Sequence, residues 1–87
     1  MSTDGDINPQ KRFIWGTRNE VKNGACGTAL LGSYLTSSYS HQTVIGEYNE
    51  DVDTYFTVAG GDENRRRNYF TVGKDGNVTV SGNINGV

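Results

Sequence analysis

Short apolar runs, each followed by glycine, set the hydrophobic pattern of the first half of the chain. Phe13-Ile14-Trp15, Ala29-Leu30-Leu31 and Val44-Ile45 each stand directly before a glycine. No window keeps apolar residues at helical spacing over several turns, and the glycines would weaken any helix. The pattern therefore predicts strands of about three to five residues joined by tight turns.

A fourteen-residue repeat connects these strands. Gly32 aligns with Gly46 and Tyr34 aligns with Tyr48, and the same step carries Gly46 to Gly60. A fixed period of this kind is typical of a solenoid or a fibre, because no single unit buries its own apolar face. The step also relates two later segments, Tyr55-Phe56-Thr57-Val58 and Tyr69-Phe70-Thr71-Val72. Upstream, Ile14-Trp15-Gly16 and Asn19 echo Ile45-Gly46 and Asn49.

The second half of the chain changes from glycine-punctuated runs to longer alternating strands. We expect strands at residues 54–59 and 69–72, a tight turn at 73–76 and a further strand around Val78 and Val80. The predicted fold class is all-β, with short-stranded β-roll or β-solenoid coils followed by β-hairpin strands in an intertwined homotrimeric fibre. The predicted segments are a lead-in at 1–12, β-roll repeats at 13–49 and a trimerising strand and hairpin segment at 50–87.

Composition points to a core that one chain cannot complete. The 87 residues are 33% apolar and include twelve glycines, which contribute almost no side-chain burial. Nine aromatic residues and patterned Val, Ile and Thr runs argue against disorder. Small scaffolds of this kind commonly gain stability by oligomerisation, so neighbouring chains are expected to supply the missing core.

The net charge, the N-terminal sequence and the number of cysteines exclude several classes of function. The net charge is −2 and the pI about 5.1, which gives no general reason to bind nucleic acid. No apolar run approaches the roughly 20 residues of a membrane-spanning helix, and the N-terminus does not resemble a signal peptide. Cys26 is the only cysteine and cannot form an internal disulfide. No cofactor is expected, and no membrane insertion.

The region from about Gly27 to Gly82 resembles a known family. Residues 39–49 resemble the last repeat of the YadA-like head, which occurs in trimeric autotransporter adhesins and in phage tail-fibre and baseplate proteins. The ending that follows such repeats in phage proteins is matched by 56–61, by Asn64-Arg65, by 68–72 and by 74–78. The departures are Ala59 and Gly61 in the glycine motif and the extra arginines Arg66 and Arg67.

The resemblance implies a homotrimer on a virion fibre, spike or baseplate. Its implied function is structural, supporting attachment to the host cell surface, with other tail or baseplate proteins and a host-surface glycan as partners. Two alternatives remain open. One is the head of a bacterial trimeric autotransporter adhesin at the cell surface, and the other is the non-catalytic part of a glycan-degrading tailspike.

Eight apolar residues are the predicted trimer core and interface. They take inward positions of strands or equivalent positions of the repeat, so we expect them to be buried, many of them against other chains. They are Leu31, Ile45, Phe56, Val58, Phe70, Val72, Val78 and Val80.

Few residues of the sequence suggest metal binding or catalysis. His41 is the only histidine, and a structural role is favoured over a metal site on a trimer axis. The acidic residues of 47–53 match no calcium loop and include no evident general acid, so a solvated loop is favoured over calcium binding or glycoside hydrolysis. No arrangement supports a catalytic site, and the chain is expected not to be an enzyme.

The arginine run at 65–67 is expected to serve stability. Arg65 is predicted to pair with an acidic group, such as Asp62, Glu63 or the 50–53 loop of a neighbouring chain. Arg66 and Arg67 are candidates for surface contacts with a phosphate or an acidic glycan, and their removal is expected to leave stability nearly unchanged.

Overall fold

The computed structural model describes residues 11–82, and within them the chain forms strands and turns without a helix. This confirms the predicted all-β class. The expected lead-in at 1–12 lies almost entirely outside the described residues, as does the end of the 50–87 segment. The strands are β1 (Arg12–Thr17), β2 (Glu20–Val21), β3 (Thr28–Ser33), β4 (Thr36–Ser37), β5 (Thr43–Glu47), β6 (Thr54–Gly60), β7 (Asn68–Gly73) and β8 (Val78–Val80).

Four parallel strands stack as successive coils of a β-solenoid. The six-stranded sheet has the order β1-β3-β5-β6-β7-β8, and its first three pairings are parallel. Gly16 pairs with Gly32, and Gly32 pairs with Gly46, so the glycines align as the repeat predicts. The next step is different, because Gly46 pairs with Ala59 and not with Gly60. The predicted alignment of Gly46 with Gly60 is therefore wrong by one residue.

The solenoid ends where β7 reverses direction. β6 and β7 are antiparallel, with Phe56 opposite Val72 and Val58 opposite Phe70. The recurrence of Tyr-Phe-Thr-Val at 55–58 and 69–72 therefore does not mark a further coil, and β7 lies in the segment for which the sequence predicts strands and a hairpin. β7 continues into β8 through the predicted turn, and β8 again runs antiparallel to its neighbour. One sheet thus spans the predicted boundary between residues 49 and 50.

The interior of the coils is small and lies between the large sheet and the short β2–β4 sheet. Leu30, Leu35 and Val44 are fully buried there, and Val21 packs against them. Burial of a side chain of this size stabilises the fold by about 1.5–3 kcal/mol. Ala59 completes this apolar cluster.

A hydrogen-bonded polar layer adjoins the apolar cluster. Gln42 is 1% exposed and accepts a hydrogen bond from Ser37 Oγ at 2.6 Å. Its Nε2 donates to Thr54 Oγ1 at 2.8 Å and to the Val52 carbonyl. Thr54 Oγ1 in turn lies 2.6 Å from Thr57 Oγ1. Each of these four side chains therefore has a hydrogen-bond partner, which removes most of the cost of burying it.

Glycine allows the coils to approach each other at their corners. Gly32 has a φ of +146°, and a Cβ at this position would overlap the carbonyl oxygen of Gly46. Two residues later the chain turns through the left-handed region at Tyr34 and Tyr48, with φ values of 56° and 48°. The glycine therefore provides both an unusual conformation and the absence of a side chain.

Beyond these corners, asparagine side chains take the place of the backbone groups that would otherwise form hydrogen bonds between coils. Asn49 is 1% exposed, and its amide accepts from the Thr36 nitrogen and donates to the Thr36 carbonyl. Asn19 accepts from the Leu35 nitrogen at 2.9 Å and donates to the Gly32 carbonyl at 3.1 Å. An amide side chain carries the same donor and acceptor as a peptide unit. The two asparagines therefore hold adjacent coils together where regular strand pairing stops.

Candidate functional site

The most extensive candidate site is the outer face of the six-stranded sheet, which points away from the coil interior. The register brings apolar positions of neighbouring strands side by side: Trp15 pairs with Leu31, Leu31 with Ile45, and Ile45 with Val58. The apolar band of the outer face, as defined by this register, consists of Phe13, Trp15, Ala29, Leu31, Thr43, Ile45, Phe56, Val58, Phe70, Val72, Val78 and Val80.

All eight residues predicted as trimer core and interface lie on this outer face. Within the single chain they do not point inward, because Leu30 and Val44 take the interior positions next to Leu31 and Ile45. Leu31 is 37% exposed and Val78 is 58% exposed. The expectation of inward positions is therefore corrected for the isolated chain, since each apolar run carries hydrophobic residues on both faces of its strand.

The apolar band crosses the outer face from one edge of the sheet to the other, and the polar Thr17 and Ser33 and the charged Glu47 follow it at the ends of their strands. None of its twelve positions is charged, and Thr43 is the only one with a polar side chain. Phe56 and Phe70 make an edge-to-face contact with ring centroids 6.1 Å apart, a geometry that aromatic pairs favour. Trp15 lies at the end of this face and is 69% exposed. An apolar surface of this continuity is typical of a protein interface.

The arginine run divides into three different environments. Among residues 11–82 no salt bridge includes Arg65, and its backbone nitrogen instead donates to the Asp62 carboxylate at 3.0 Å. Arg66 donates from Nη1 to the Tyr34 carbonyl at 2.9 Å and to the Asn49 carbonyl at 3.2 Å. The predicted ion pair of Arg65 is therefore not formed within the chain, and Arg66 is the member of the run with structural side-chain contacts.

Arg66 also covers an aromatic ring. Its guanidinium carbon lies 5.5 Å from the centre of the Tyr48 ring, within the range of a cation–π contact. Arg67 is exposed, and its backbone nitrogen donates to the Tyr48 carbonyl at 3.0 Å. Its side chain is therefore the better candidate of the two for a contact outside the chain.

The acidic segment at 47–53 is used for internal contacts. Asp51 accepts from both the backbone nitrogen and the hydroxyl of Ser38. Asp53 forms an ion pair with Lys74 at 2.7 Å, and Lys74 also donates to the Ser40 carbonyl at 3.0 Å. These contacts attach the turn between β7 and β8 to the coil above it. Two of the four acidic side chains of the segment, Asp51 and Asp53, are therefore engaged within the fold.

The described residues do not bring together a set of metal ligands. Across residues 11–82, no three His, Cys, Asp or Glu side chains converge on one point. His41 is exposed, and its backbone nitrogen donates to the Cys26 carbonyl at 2.8 Å. Cys26 is a free, half-buried thiol that accepts a weak hydrogen bond from Ser40. In this range there is also no helix that is both long and apolar enough to cross a membrane.

A polar groove of about 240 Å³ lies beside the β2–β4 sheet. Its charged groups have both signs, and two of them, Asp51 and Arg66, already make the contacts described above. The groove is lined by Glu20, Lys22, Thr36, Asn49, Asp51 and Arg66. Such a lining suits neither a strongly anionic nor a strongly cationic ligand.

Sequence reasoning missed three functional elements of the fold. It did not assign a role to Asn49 or Gln42, and it assigned Arg66 to surface contacts where the structure gives its side chain internal ones. The signal for the asparagines was present, since Asn19 and Asn49 each stand three residues after a glycine of the repeat. Gln42 and Arg66 carry no such signal, because their partners lie on coils that only the register brings together.

Comparison of the chain with family models, with characterised proteins and with solved structures found no match.

Proposed function

We propose that this chain is a structural module of a homotrimeric fibre that supports attachment to a host cell surface. The observation that carries the proposal is the apolar band of the outer face, which crosses all six strands and is left partly exposed by the single chain. The assembly would be a phage tail fibre, a receptor-binding protein or a baseplate spike, because the motifs at 39–49 and 56–78 resemble those proteins.

The small interior supports self-association. Only five apolar residues of the described chain are buried, and two of them are alanines. A domain of this size is marginal on its own, because it buries a small fraction of its unfolded surface. Covering the outer face with further copies would remove exposed Trp15, Leu31 and Val78 from water and add the apolar burial that the interior lacks.

The internal use of polar groups supports a structural role over a catalytic one. Gln42 and Asn49 bond to neighbouring coils, and Lys74 joins Asp53 to the Ser40 carbonyl. These groups hold the coils and the final turn in place. Arg67 is the member of the run that we assign to contacts with a phosphate or an acidic glycan of the host surface, because it is exposed and its contact with Tyr48 uses only its backbone.

The alternatives share the same assembly and differ in its location. A trimeric adhesin head would place this module on a bacterial surface, and a tailspike would place it next to a catalytic domain. The sequence of the complete gene distinguishes them, since an adhesin requires a signal peptide and a membrane anchor.

Sedimentation velocity of the full chain tests the proposal through its oligomeric state. We expect a mass of about three chains for the wild-type protein. Val78→Asp and Ile45→Asp should prevent assembly, because each would place three unpaired charges in an apolar interface. Val78 is already 58% exposed in the single chain, so its substitution should leave the individual fold intact.

Thr79→Asp is the matched control, since Thr79 is exposed and is the neighbour of Val78 on the opposite face of β8. It should assemble like the wild-type chain. A compact, folded wild-type monomer at micromolar concentration would contradict the proposal. Equal effects of Val78→Asp and Thr79→Asp would remove the outer face as its basis.

A further inference from the structure

The turn between β2 and β3 contains an asparagine followed by a glycine. Asn23 and Gly24 are both exposed, and both adopt left-handed backbone conformations, with φ values of 58° and 69°. Two successive positive φ values are typical of a tight type I′ turn, for which Asn-Gly is a preferred sequence. Within the described part of the chain, the turn is closed by one backbone hydrogen bond, from the Ala25 nitrogen to the Lys22 carbonyl at 3.1 Å.

This dipeptide places an electrophile next to a nucleophile. The backbone nitrogen of the residue after an asparagine can attack the side-chain carbon Cγ, because the two atoms close a succinimide ring. A side chain on that residue hinders the approach, so glycine is the most permissive neighbour. Within residues 11–82, Asn23 is the only asparagine that precedes a glycine. Apart from the adjacent residues, nothing lies within 4 Å of the position of a Cβ on Gly24, so space for the ring is open there.

Little holds the two reacting groups apart. The Asn23 side chain and the Gly24 nitrogen have no hydrogen-bond partner among residues 11–82. The attack requires a rotation about the Cα–C bond of Asn23, which brings the Gly24 nitrogen toward Cγ. The rotation is opposed by the 3.1 Å hydrogen bond of the turn and by the adjoining β2–β4 sheet, which has only two residue pairs. Exposed turns with so few contacts open locally at a small cost in free energy.

The turn between β7 and β8 shows the opposite arrangement. Asp75 and Gly76 form a comparable dipeptide, and Gly76 also has a positive φ, +89°. The Gly76 nitrogen donates to the Gly73 carbonyl at 2.9 Å, and the Asp75 carboxylate accepts from the backbone and the side chain of Asn77. Both reacting groups are therefore engaged, and a carboxylate is a poorer electrophile than an amide. The structure thus distinguishes the Asn23 turn from the Asp75 turn.

We propose that Asn23 is a site of spontaneous deamidation, through which the connection between the first two coils is altered irreversibly with time. The Gly24 nitrogen forms a bond to Cγ, the Cγ–Nδ2 bond breaks, and ammonia leaves with the proton of the Gly24 nitrogen. Water then opens the succinimide at either carbonyl. Opening at Cγ gives aspartate, and opening at the main-chain carbonyl gives isoaspartate, in which the backbone runs through Cβ and Cγ. The net reaction consumes water and releases ammonia, without an oxidant or a reductant.

Isoaspartate would change the backbone next to a buried residue. It inserts an additional carbon into the turn, and the hydrogen bond between Ala25 and Lys22 cannot accommodate this carbon without a shift. Ala25 is 3% exposed, and its carbonyl accepts from Arg12 Nε at 2.8 Å. The nitrogen of the next residue, Cys26, donates to Ser40 Oγ at 3.0 Å. We therefore expect isoaspartate to loosen the start of β3 and to expose Cys26, whereas aspartate adds only a charge.

Peptide mapping of the aged full-length chain tests for the modification. The folded protein is incubated at mildly alkaline pH, which favours attack by the Gly24 nitrogen, and is cleaved after glutamate at intervals. Cleavage gives the peptide 21–47, in which Asn23 is the only asparagine. We expect this peptide to gain the mass of an amide-to-carboxyl conversion progressively. Methylation by an isoaspartyl methyltransferase should identify isoaspartate among the products.

Asn23→Gly is the matched control for the mapping. Glycine adopts the positive φ of this position without strain and has no side-chain amide. The control peptide still contains Gln42, so any mass gain from that amide is measured separately. We expect the peptide of Asn23→Gly to remain unchanged over the period in which the wild-type peptide is converted.

The thiol of Cys26 gives a second readout, because it is the only cysteine and is half-buried. We expect the isolated isoaspartyl chain to react with an aromatic disulfide reagent severalfold faster than Asn23→Asp does. Asn23→Asp carries the same charge on an ordinary backbone. The comparison therefore separates the effect of the inserted carbon from the effect of the charge.

Three results would overturn the proposal. One is an unchanged peptide 21–47 in the folded chain over a period in which the urea-unfolded chain is converted at Asn23. Another is an equal mass gain in the wild-type chain and in Asn23→Gly. The third is equal reactivity of Cys26 in the isoaspartyl chain and in Asn23→Asp, because the modification would then leave the coil unaltered.

Discussion

Tyr34 and Tyr48 stack face to face, with ring centroids 4.5 Å apart and ring planes 7° from parallel. Each follows a glycine of the repeat by two positions and adopts a left-handed conformation, with φ values of 56° and 48°. The pairing of Gly32 with Gly46 places the two corners in register, so the rings meet as a consequence of the coil spacing. The stack is therefore a direct product of the sequence repeat.

Tyr48→Leu should destabilise the chain by about 1 kcal/mol, the contribution of an aromatic pair beyond simple area burial. Tyr48→Phe keeps the ring and should remain close to the wild-type stability. Chemical denaturation of both variants measures the difference. Equal destabilisation by phenylalanine and leucine would show that the hydroxyl, and not the stacked ring, is responsible.

The same pair predicts a response to alkaline pH. Loss of water contact raises the pKa of the Tyr48 hydroxyl, and the neighbouring Tyr34 and Glu63 raise it further. A group whose pKa is raised by folding stabilises the protein below its unfolded value and loses this contribution as pH rises. Stability should therefore fall above about pH 10, and less steeply in Tyr48→Phe.

Arg66 should contribute to stability although it is exposed. It donates to the carbonyls of Tyr34 and Asn49 and lies over the Tyr48 ring, which connects the 61–67 loop to two coils. Arg66→Ala should cost about 1 kcal/mol, a magnitude reduced by solvent exposure. Arg67→Ala removes a neighbouring arginine whose backbone contact does not need its side chain. Thermal melts should separate the two variants, and identical melts would refute the assignment.

The sequence repeat was sufficient to predict stacked short strands. The positions of glycine and the alternation of apolar and polar residues both depend on local backbone geometry. It was not sufficient to choose the interior face. Leu30 and Leu31 are both leucine, so alternation alone cannot say which one enters the coil. The structure buries Leu30 fully and leaves Leu31 37% exposed.

The later part of the sequence repeat does not continue the solenoid. Residues 55–58 and 69–72 have nearly the same sequence, yet β7 runs antiparallel to β6. A sequence match at a fixed spacing does not determine the relative direction of two strands. That direction depends on whether the segment joining the strands crosses back over the coil. The connection from Gly61 to Arg67 stays at one end of the sheet and returns directly.

Gly32→Ala should be among the most damaging single-methyl changes in the chain. The added Cβ would overlap the Gly46 carbonyl, and the φ of +146° is unfavourable for any other residue. We expect a loss of at least about 3 kcal/mol, combining backbone strain with the steric overlap.

Gly24→Ala separates these two causes. Gly24 also has a positive φ, +69°, but nothing lies within 4 Å of the position of its Cβ. This variant should lose only about 1 kcal/mol from strain. Equilibrium unfolding of the two alanine variants gives the contribution of the close coil approach as their difference. Similar losses would mean that coil spacing does not depend on the glycine row.

Gln42→Glu should make the stability of the coil interior depend on pH. The Gln42 amide donates to the Val52 carbonyl and to Thr54 Oγ1, and a carboxylate cannot donate to either. Burial disfavours the charged form, so the pKa of the new carboxyl in the folded chain should exceed its unfolded value near 4.3. A raised folded pKa means that the variant is most stable below about pH 4 and loses stability as pH rises toward neutrality. Denaturation midpoints measured across this range should therefore fall with increasing pH for Gln42→Glu relative to the wild-type chain. A constant difference between the two proteins would indicate that position 42 is accessible to water, contrary to its 1% exposure.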